Sequence, residues 1–519
     1  MSYVDGQIIF AMLLALPLSA ALGWSVAGVY RRRMLKLMRA LAPAARDGGP
    51  DRHAPTRLSP RPPANSLIDF ACNRRMTFRL SVVLCAISVA VGLSLAWFEL
   101  SFVYPEGGYG PRKLLVMTLL ESWPAVPALG LLWRWSLRRT ALAVLAYMLA
   151  ITALVMVSST ERQSVVTVFL WLLGSTVVPL VALVTLASSG RIRAVSPFLF
   201  PVCASLMAAS MLALEWLAQS VDAPPQALLS VVDAIGAIPA IALFALLPWL
   251  AVGWPLAGLA RWLARRYCDK RFSELGYLFG VFWLVVLIAH ALPATHSRIG
   301  LGAFAELLAW LWIPVGLSLA GGWLRPPADP PTLLVLRVFR RDAEVAALFD
   351  AVVERWRQTG NTVMIAGTDL VSHTVDPDDI FAFLSRRLAE RFIDTPAAVT
   401  ARVGNFDLAA DPDGRFRVNE CYCTDDTWQA ALDALVGQAH VVLMDLRGFA
   451  AANQGCRFEL GVLAAAKGLV RVVVLHDALT DRAVAEEETR AAPPGRFAWI
   501  DATVLDRRCR ERILAALLG

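Results

Sequence analysis

Between residues 441 and 468 the chain reads VVLMDLRGFAAANQGCRFELGVLAAAKG: an apolar strand, a polar turn, then a helix. The turn and the start of the helix gather Asp445, Arg447, Asn453, Cys456 and Glu459, which are two carboxylates, a guanidinium, an amide and a thiol. In open parallel sheets, ligands bind outside the carboxyl ends of the strands, where strand order reverses. A strand that runs into such a turn is therefore where a ligand would be held and acted upon. The same rule selects Arg340, Arg341 and Asp342 after an apolar strand at 332–339, and Gly367, Thr368 and Asp369 at the end of TVMIAG. A purely structural reading of the turn also exists. Glu459 would be a first-turn carboxylate favoured by the helix dipole, Asn453 the N-cap and Asp445 a loop-capping group; spacing alone leaves both readings open.

The elements that must position these residues fill the last part of the chain. After a proline-rich linker at 324–331, strands at 332–339, 362–367, 440–446, VRVVVL and FAWID alternate with helices near 343–360, 378–393, 427–437, 455–467 and from about 507 to Gly519. A hairpin turn is expected in AADPDGRFRVNE, and Asp425 and Asp426 start the helix at 427. Continuous apolar strands alternating with helices argue for a mainly parallel sheet covered on both faces. The expected fold of residues 332–519 is a flavodoxin-like, three-layer α/β domain.

The rest of the chain is of another kind. With 57% hydrophobic and 18% charged residues over 519 positions, it is too apolar for a soluble protein, in which about 25% of residues are charged. Residues 1–330 carry 27 Arg and Lys against 15 Asp and Glu, whereas 331–519 carry 22 against 27. Opposite sign and different apolar content mark two physical objects. About nine apolar runs are long enough to cross a bilayer, near 7–30, 80–103, 114–133, 141–159, 165–187, 196–217, 234–258, 275–293 and 299–323. Arginine clusters at 31–33, 74–79, 134–139, 191–193 and 261–271 fall after spans one, three, five and seven and before span two, so all share one side, and the loops at the opposite ends are short and weakly charged. By the positive-inside rule the N-terminus lies outside and the C-terminal domain in the cytosol of an inner membrane. Residues 1–30 read as an uncleaved first span, and 80–323 hold spans two to nine.

The loop 31–79 holds 12 basic and 3 acidic residues and is proline-rich. It either contacts anionic inner-leaflet lipid or serves only as a topology signal; without interleaved aromatics, nucleic acid is not expected as a partner. Glu99, Glu121, Glu215, Asp233, His290 and Glu306 fall inside spans, where ionisable groups point to function; they either converge in an acidic vestibule or reach water one by one. The eight cysteines are scattered, and Cys421-Tyr-Cys423 has no zinc-ligand spacing and no second pair, so free thiols and no metal site are expected.

The stretch NQGCRFELG resembles the glutamate-bearing segment of TIR domains, where a Cys stands three positions before a Glu-Leu pair, matched by Cys456, Glu459 and Leu460. It is also similar to nucleoside 2-deoxyribosyltransferases, whose helix carries Gly and then Phe-Glu-Leu-Gly, matched by Gly455, Phe458, Glu459, Leu460 and Gly461. LRVFRRD at 336–342 resembles the first-strand segment of TIR domains, whereas Gly455 stands where those domains usually have Trp. The resemblance implies a TIR-like domain acting on the N-glycosidic bond of NAD or a related nucleotide, as substrate and not as a bound cofactor. It implies that Glu459 meets the cationic sugar, as carboxylates do in glycoside hydrolysis, and that Asp445 orients the ribose hydroxyls. Arg340, Arg341 and Arg447 would hold the pyrophosphate. Nicotinamide leaves activated by its own charge, so this chemistry needs no strong general acid. The implied context is a membrane-anchored signalling protein of prokaryotic defence that self-associates through its cytosolic domain. Two other readings stand beside it: a non-enzymatic module that binds a nucleotide or a partner domain, and a transporter with a regulatory domain.

Overall fold

In the computed structural model, the described residues are 3–41, 69–105, 110–159, 164–187, 190–220, 224–327, 329–337, 348, 352–366, 377–384, 388–393, 395–424 and 427–519. They form two compact units, Met1–Ala27 with Ser81–Ala320, and Gly28–Leu80 with Gly321–Gly519.

Among the described residues, eight helices are long and apolar enough to cross a membrane: Phe10–Leu37, Phe70–Val103, Pro111–Leu132, Leu137–Ser158, Val165–Ala187, Arg193–Gln219, Ala237–Cys268 and Gly300–Leu324. The run at 275–293, read from sequence as a ninth span, is built differently. Helix Glu274–Val286 passes into a π turn, Leu287–Ala291, and resumes as Leu292–Ile299. Its side chains from Leu278 through Leu287, Trp283 among them, are mostly buried inside the first unit. Helix Ala237–Cys268, by contrast, leaves Ile238, Leu250 and Trp254 more than 70% exposed, as an outer helix in lipid does.

In the second unit, seven strands form one sheet in the order β3-β4-β2-β1-β5-β6-β7. They are β1 Thr332–Arg337, β2 Asn361–Ala366, β3 Phe392–Ile393, β4 Val418–Cys423, β5 Val441–Asp445, β6 Arg471–His476 and β7 Phe497–Asp501. All six pairings are parallel. Alternate residues point to opposite faces. Leu334, Leu336, Val363, Val442, Met444, Val472 and Val474 share one core with Val399, Leu432, Leu435, Leu460 and Leu463 from helices Pro396–Gly404, Trp428–Gln438 and Gln454–Ala465. The last helix, Arg507–Leu518, packs along β5, β6 and β7 and covers the opposite face, where Arg471 Nη1 donates to Ala516 O at 2.8 Å.

The turn expected in AADPDG exists: Gly414 N donates to Asp411 O at 2.9 Å and Asp411 N to Arg415 O at 2.8 Å. It does not close a hairpin, because the strand that follows, β4, enters the sheet parallel to both β2 and β3. The segment around it is held by buried ion pairs. Glu354 receives Arg357 Nη1 at 2.8 Å and Arg415 Nη2 at 2.6 Å, and Asp411 receives Arg417 Nε at 3.0 Å.

The first turns of helix Phe70–Phe98, through Leu80, belong to this same unit. Asn73 is almost fully buried, and its Nδ2 donates to Arg355 O at 2.7 Å and to Thr359 Oγ1 at 2.8 Å. At Gly414 the backbone is left-handed, φ +80°, and an added Cβ would stand 2.2 Å from Leu324 O, so only glycine fits the approach. The compact body around the sheet therefore contains more than residues 332–519.

Candidate active site at the sheet rim

From β1 the chain moves toward β2, and from β5 toward β6, so strand order reverses between these two neighbours. That point is where an open sheet leaves a crevice. In register there, Arg337 ends β1 opposite Asp445, which ends β5. After Asp445 the chain turns through Gly448 at φ +70° and enters helix Gln454–Ala465, which carries Glu459.

Asp445 and Arg447 are tied to each other. Arg447 Nε donates to Asp445 Oδ1 at 2.9 Å, Nη2 to Oδ2 at 2.7 Å, and the backbone N of Arg447 to Oδ1 at 3.2 Å. Both side chains are 4% exposed. In this bidentate pair the carboxylate expected to orient a ribose and the cation expected to hold a pyrophosphate are engaged with one another. Neighbouring groups brace the turn, with Gly448 N donating to Asp477 Oδ1 at 2.9 Å and Thr480 Oγ1 to Leu446 O at 2.9 Å.

Glu459 is placed differently from the structural expectation. It lies in the second turn of its helix, beyond the first turn in which the dipole favours a carboxylate. The side chain is buried, and Oε2 accepts no hydrogen bond. Burial pushes its carboxyl up to about 8, against a smaller lowering by the nearby Arg337. Asn453 occupies the N-cap position, yet its side chain makes no cap bond to the helix; Oδ1 accepts from Ala450 N at 2.7 Å, back within the loop. Cys456 is buried, and burial followed by the charge of Glu459 pushes its thiol up to about 12, so it is no thiolate nucleophile.

Arg340, Arg341, Asp342, Gly367, Thr368 and Asp369 lie outside the described residues. Arg337 sits inside an apolar run, and only the register of β1 against β5 reveals it at the switch point.

In the first unit, Glu99, Glu121 and Glu306 are all buried, and Glu99 lies within electrostatic reach of the other two. Thr295 Oγ1 donates to Glu306 Oε2 at 3.0 Å. Glu215 instead accepts from Gln219 Nε2 at 3.2 Å at an exposed site, Asp233 is exposed, and the side chain of His290 is outside the described set. Three of the six intramembrane groups thus come together. No group of His, Cys, Asp and Glu that could hold a metal ion occurs among the described residues.

Fold and rim define a helical, membrane-associated chain that carries an all-parallel α/β domain with a buried acid at its switch point. No family model, no curated protein and no solved structure matches it.

Proposed function

We propose that the chain is a membrane-anchored signalling or defence protein whose flavodoxin-like, TIR-like domain binds NAD or a related nucleotide and cleaves it at the N-glycosidic bond. One observation carries this reading. Glu459, the residue that the TIR and deoxyribosyltransferase resemblances single out, is a buried carboxyl beside the switch point of a parallel sheet. With β3 and β4 set aside as an edge addition, the remaining order β2-β1-β5-β6-β7 is that of flavodoxin-like sheets. Arg337 adds a cation at the same point. The arginine clusters flanking the spans support a cytosolic location for this domain and an outer N-terminus. Self-association of the domain, as in TIR-like proteins, would let events in the membrane control the site.

The test is nicotinamide release from NAD by the full-length chain in lipid nanodiscs, dispersed and artificially clustered, beside Glu459→Gln. Turnover that the variant abolishes is the expected result. Absence of turnover with NAD and with nucleosides alike would sink the enzymatic reading. The Asp445–Arg447 pair favours a second reading, because it withdraws one expected catalytic carboxylate from the ligand. In that case the domain binds a nucleotide and relays a signal, and calorimetry would show saturable binding without product.

A further inference from the structure

The carboxylates along the rim differ in what they are given. Asp445 receives three N–H donors from Arg447. Asp477 receives Gly448 N, Leu479 N and Thr480 Oγ1, and Asp501 receives Thr503 N and Oγ1. Glu459 Oε2 is buried and receives nothing. An ionised oxygen in that position would give up its hydration with no replacement, so the group avoids the cost by keeping a proton.

The titratable and charged groups around it agree. Arg337, from β1, is the cation that acts on Glu459, and it is outweighed by burial. On its own helix, Cys456 is a neutral thiol. Arg457, also on that helix, is turned to Glu488 of helix Arg482–Glu488, 2.6 Å away. The pair of Asp445, at the end of β5, and Arg447, in the turn after it, is internally neutralised, and Asp433, on the adjacent helix Trp428–Gln438, adds no cation.

We infer that Glu459 works as a general acid, and that the substrate is an N-riboside whose base is uncharged and must be protonated in order to leave. This rests on the glycosidic reading above and narrows its substrate. In NAD the nicotinamide ring is already cationic while bonded and leaves neutral, so Glu459 could act there only on the sugar cation and not by giving a proton; a nucleoside or nucleoside monophosphate has a neutral base, for which the proton is essential. In the first step the bond between C1′ and the base nitrogen breaks. Its electron pair goes to the base, the Glu459 proton goes to a base nitrogen, and the sugar becomes an oxocarbenium ion. The carboxylate so formed is stabilised by that cation and by Arg337. In the second step a water oxygen bonds to C1′ and its proton returns to Glu459. The sum is riboside plus water giving ribose and free base, with the acid restored. With the carboxyl held up to about 8, most molecules carry the proton at neutral pH.

The experiment uses the full-length chain in nanodiscs with three probes: adenosine 5′-monophosphate, NAD and p-nitrophenyl riboside, whose leaving group departs without a proton. Wild type should release adenine with kcat/KM falling as pH rises through about 8. Glu459→Gln should lose about 10²–10⁴-fold on the monophosphate and far less on p-nitrophenyl riboside. Proteolytic resistance no lower than that of wild type shows that the variant folded, and Glu459→Asp, which keeps an acid on a shorter arm, should recover part of the loss. Equal loss on both ribosides would make Glu459 a nucleophile or an ion stabiliser and overturn the acid role while leaving glycosidic cleavage intact. Cleavage of NAD but not of the monophosphate would overturn the substrate assignment in the same way. Wild type inert toward all three would remove the underlying reading, and this inference with it.

Discussion

Asp445 and Glu459 are buried carboxylates at one edge of one sheet, yet they are opposite cases. The first is wrapped by a guanidinium on both oxygens. The second keeps an oxygen without a donor. Burial alone therefore does not mark a reactive acid, since a paired buried carboxylate is a structural tie. What distinguishes a chemical group is burial combined with missing partners, which leaves its proton and its charge available to something not yet bound.

Removing the tie should have the largest effect. Arg447→Met leaves Asp445 buried and uncompensated and should destabilise the sheet unit by about 3–5 kcal/mol, read by pulse proteolysis. Glu459→Met should do the reverse. Replacing an unsatisfied buried acid by a side chain of similar size should stabilise by about 1–3 kcal/mol, and a lower proteolytic resistance would mean that Glu459 has a structural partner after all. The pH dependence sharpens the contrast further. The folded protein holds the Glu459 proton up to about pH 8, whereas the unfolded chain releases it near 4.5. Stability should therefore fall as pH rises between those values, by at most about 1.4 kcal/mol per pH unit, and Glu459→Gln should remove that slope. At the low end, Arg507 pairs with Glu511 at the surface, with side chains 80% and 53% exposed. Arg507→Ala should change stability by only about 0.3–0.5 kcal/mol, which fixes the scale for an ion pair that water already solvates.

These contrasts were only partly legible in the sequence. The central strands were, because runs such as VVLMD and RVVVL are apolar throughout and lie between turns. β3 and β4 were not: one has two residues, and the other, VNECYC, mixes Asn and Glu into its strand. Asp-Pro-Asp-Gly signals a tight turn and nothing about direction, so it suggests a hairpin where the chain in fact returns parallel into the sheet. Glu459 stood out through the residues around it. Its lack of a partner did not, nor did the Asp445–Arg447 pair, which depends on a turn geometry that includes the left-handed Gly448. In the first unit, hydropathy located apolar runs correctly but could not reveal that the one at 275–293 is interrupted by a π turn and packed inside its neighbours.

The bonds of Asn73 have a consequence for how the protein is made. They join residues 282 and 286 positions apart. During synthesis, Asn73 emerges early, with the first apolar helices, and waits until Arg355 and Thr359 appear 282 and 286 residues later. The sheet therefore completes itself on pieces laid down long before it, a contact pattern of high sequence separation that slows folding. Maturation of the C-terminal domain becomes conditional on correct placement of the second helix. A chain mis-inserted at its start would then present an unfinished sheet, and hence no assembled rim, to the cell.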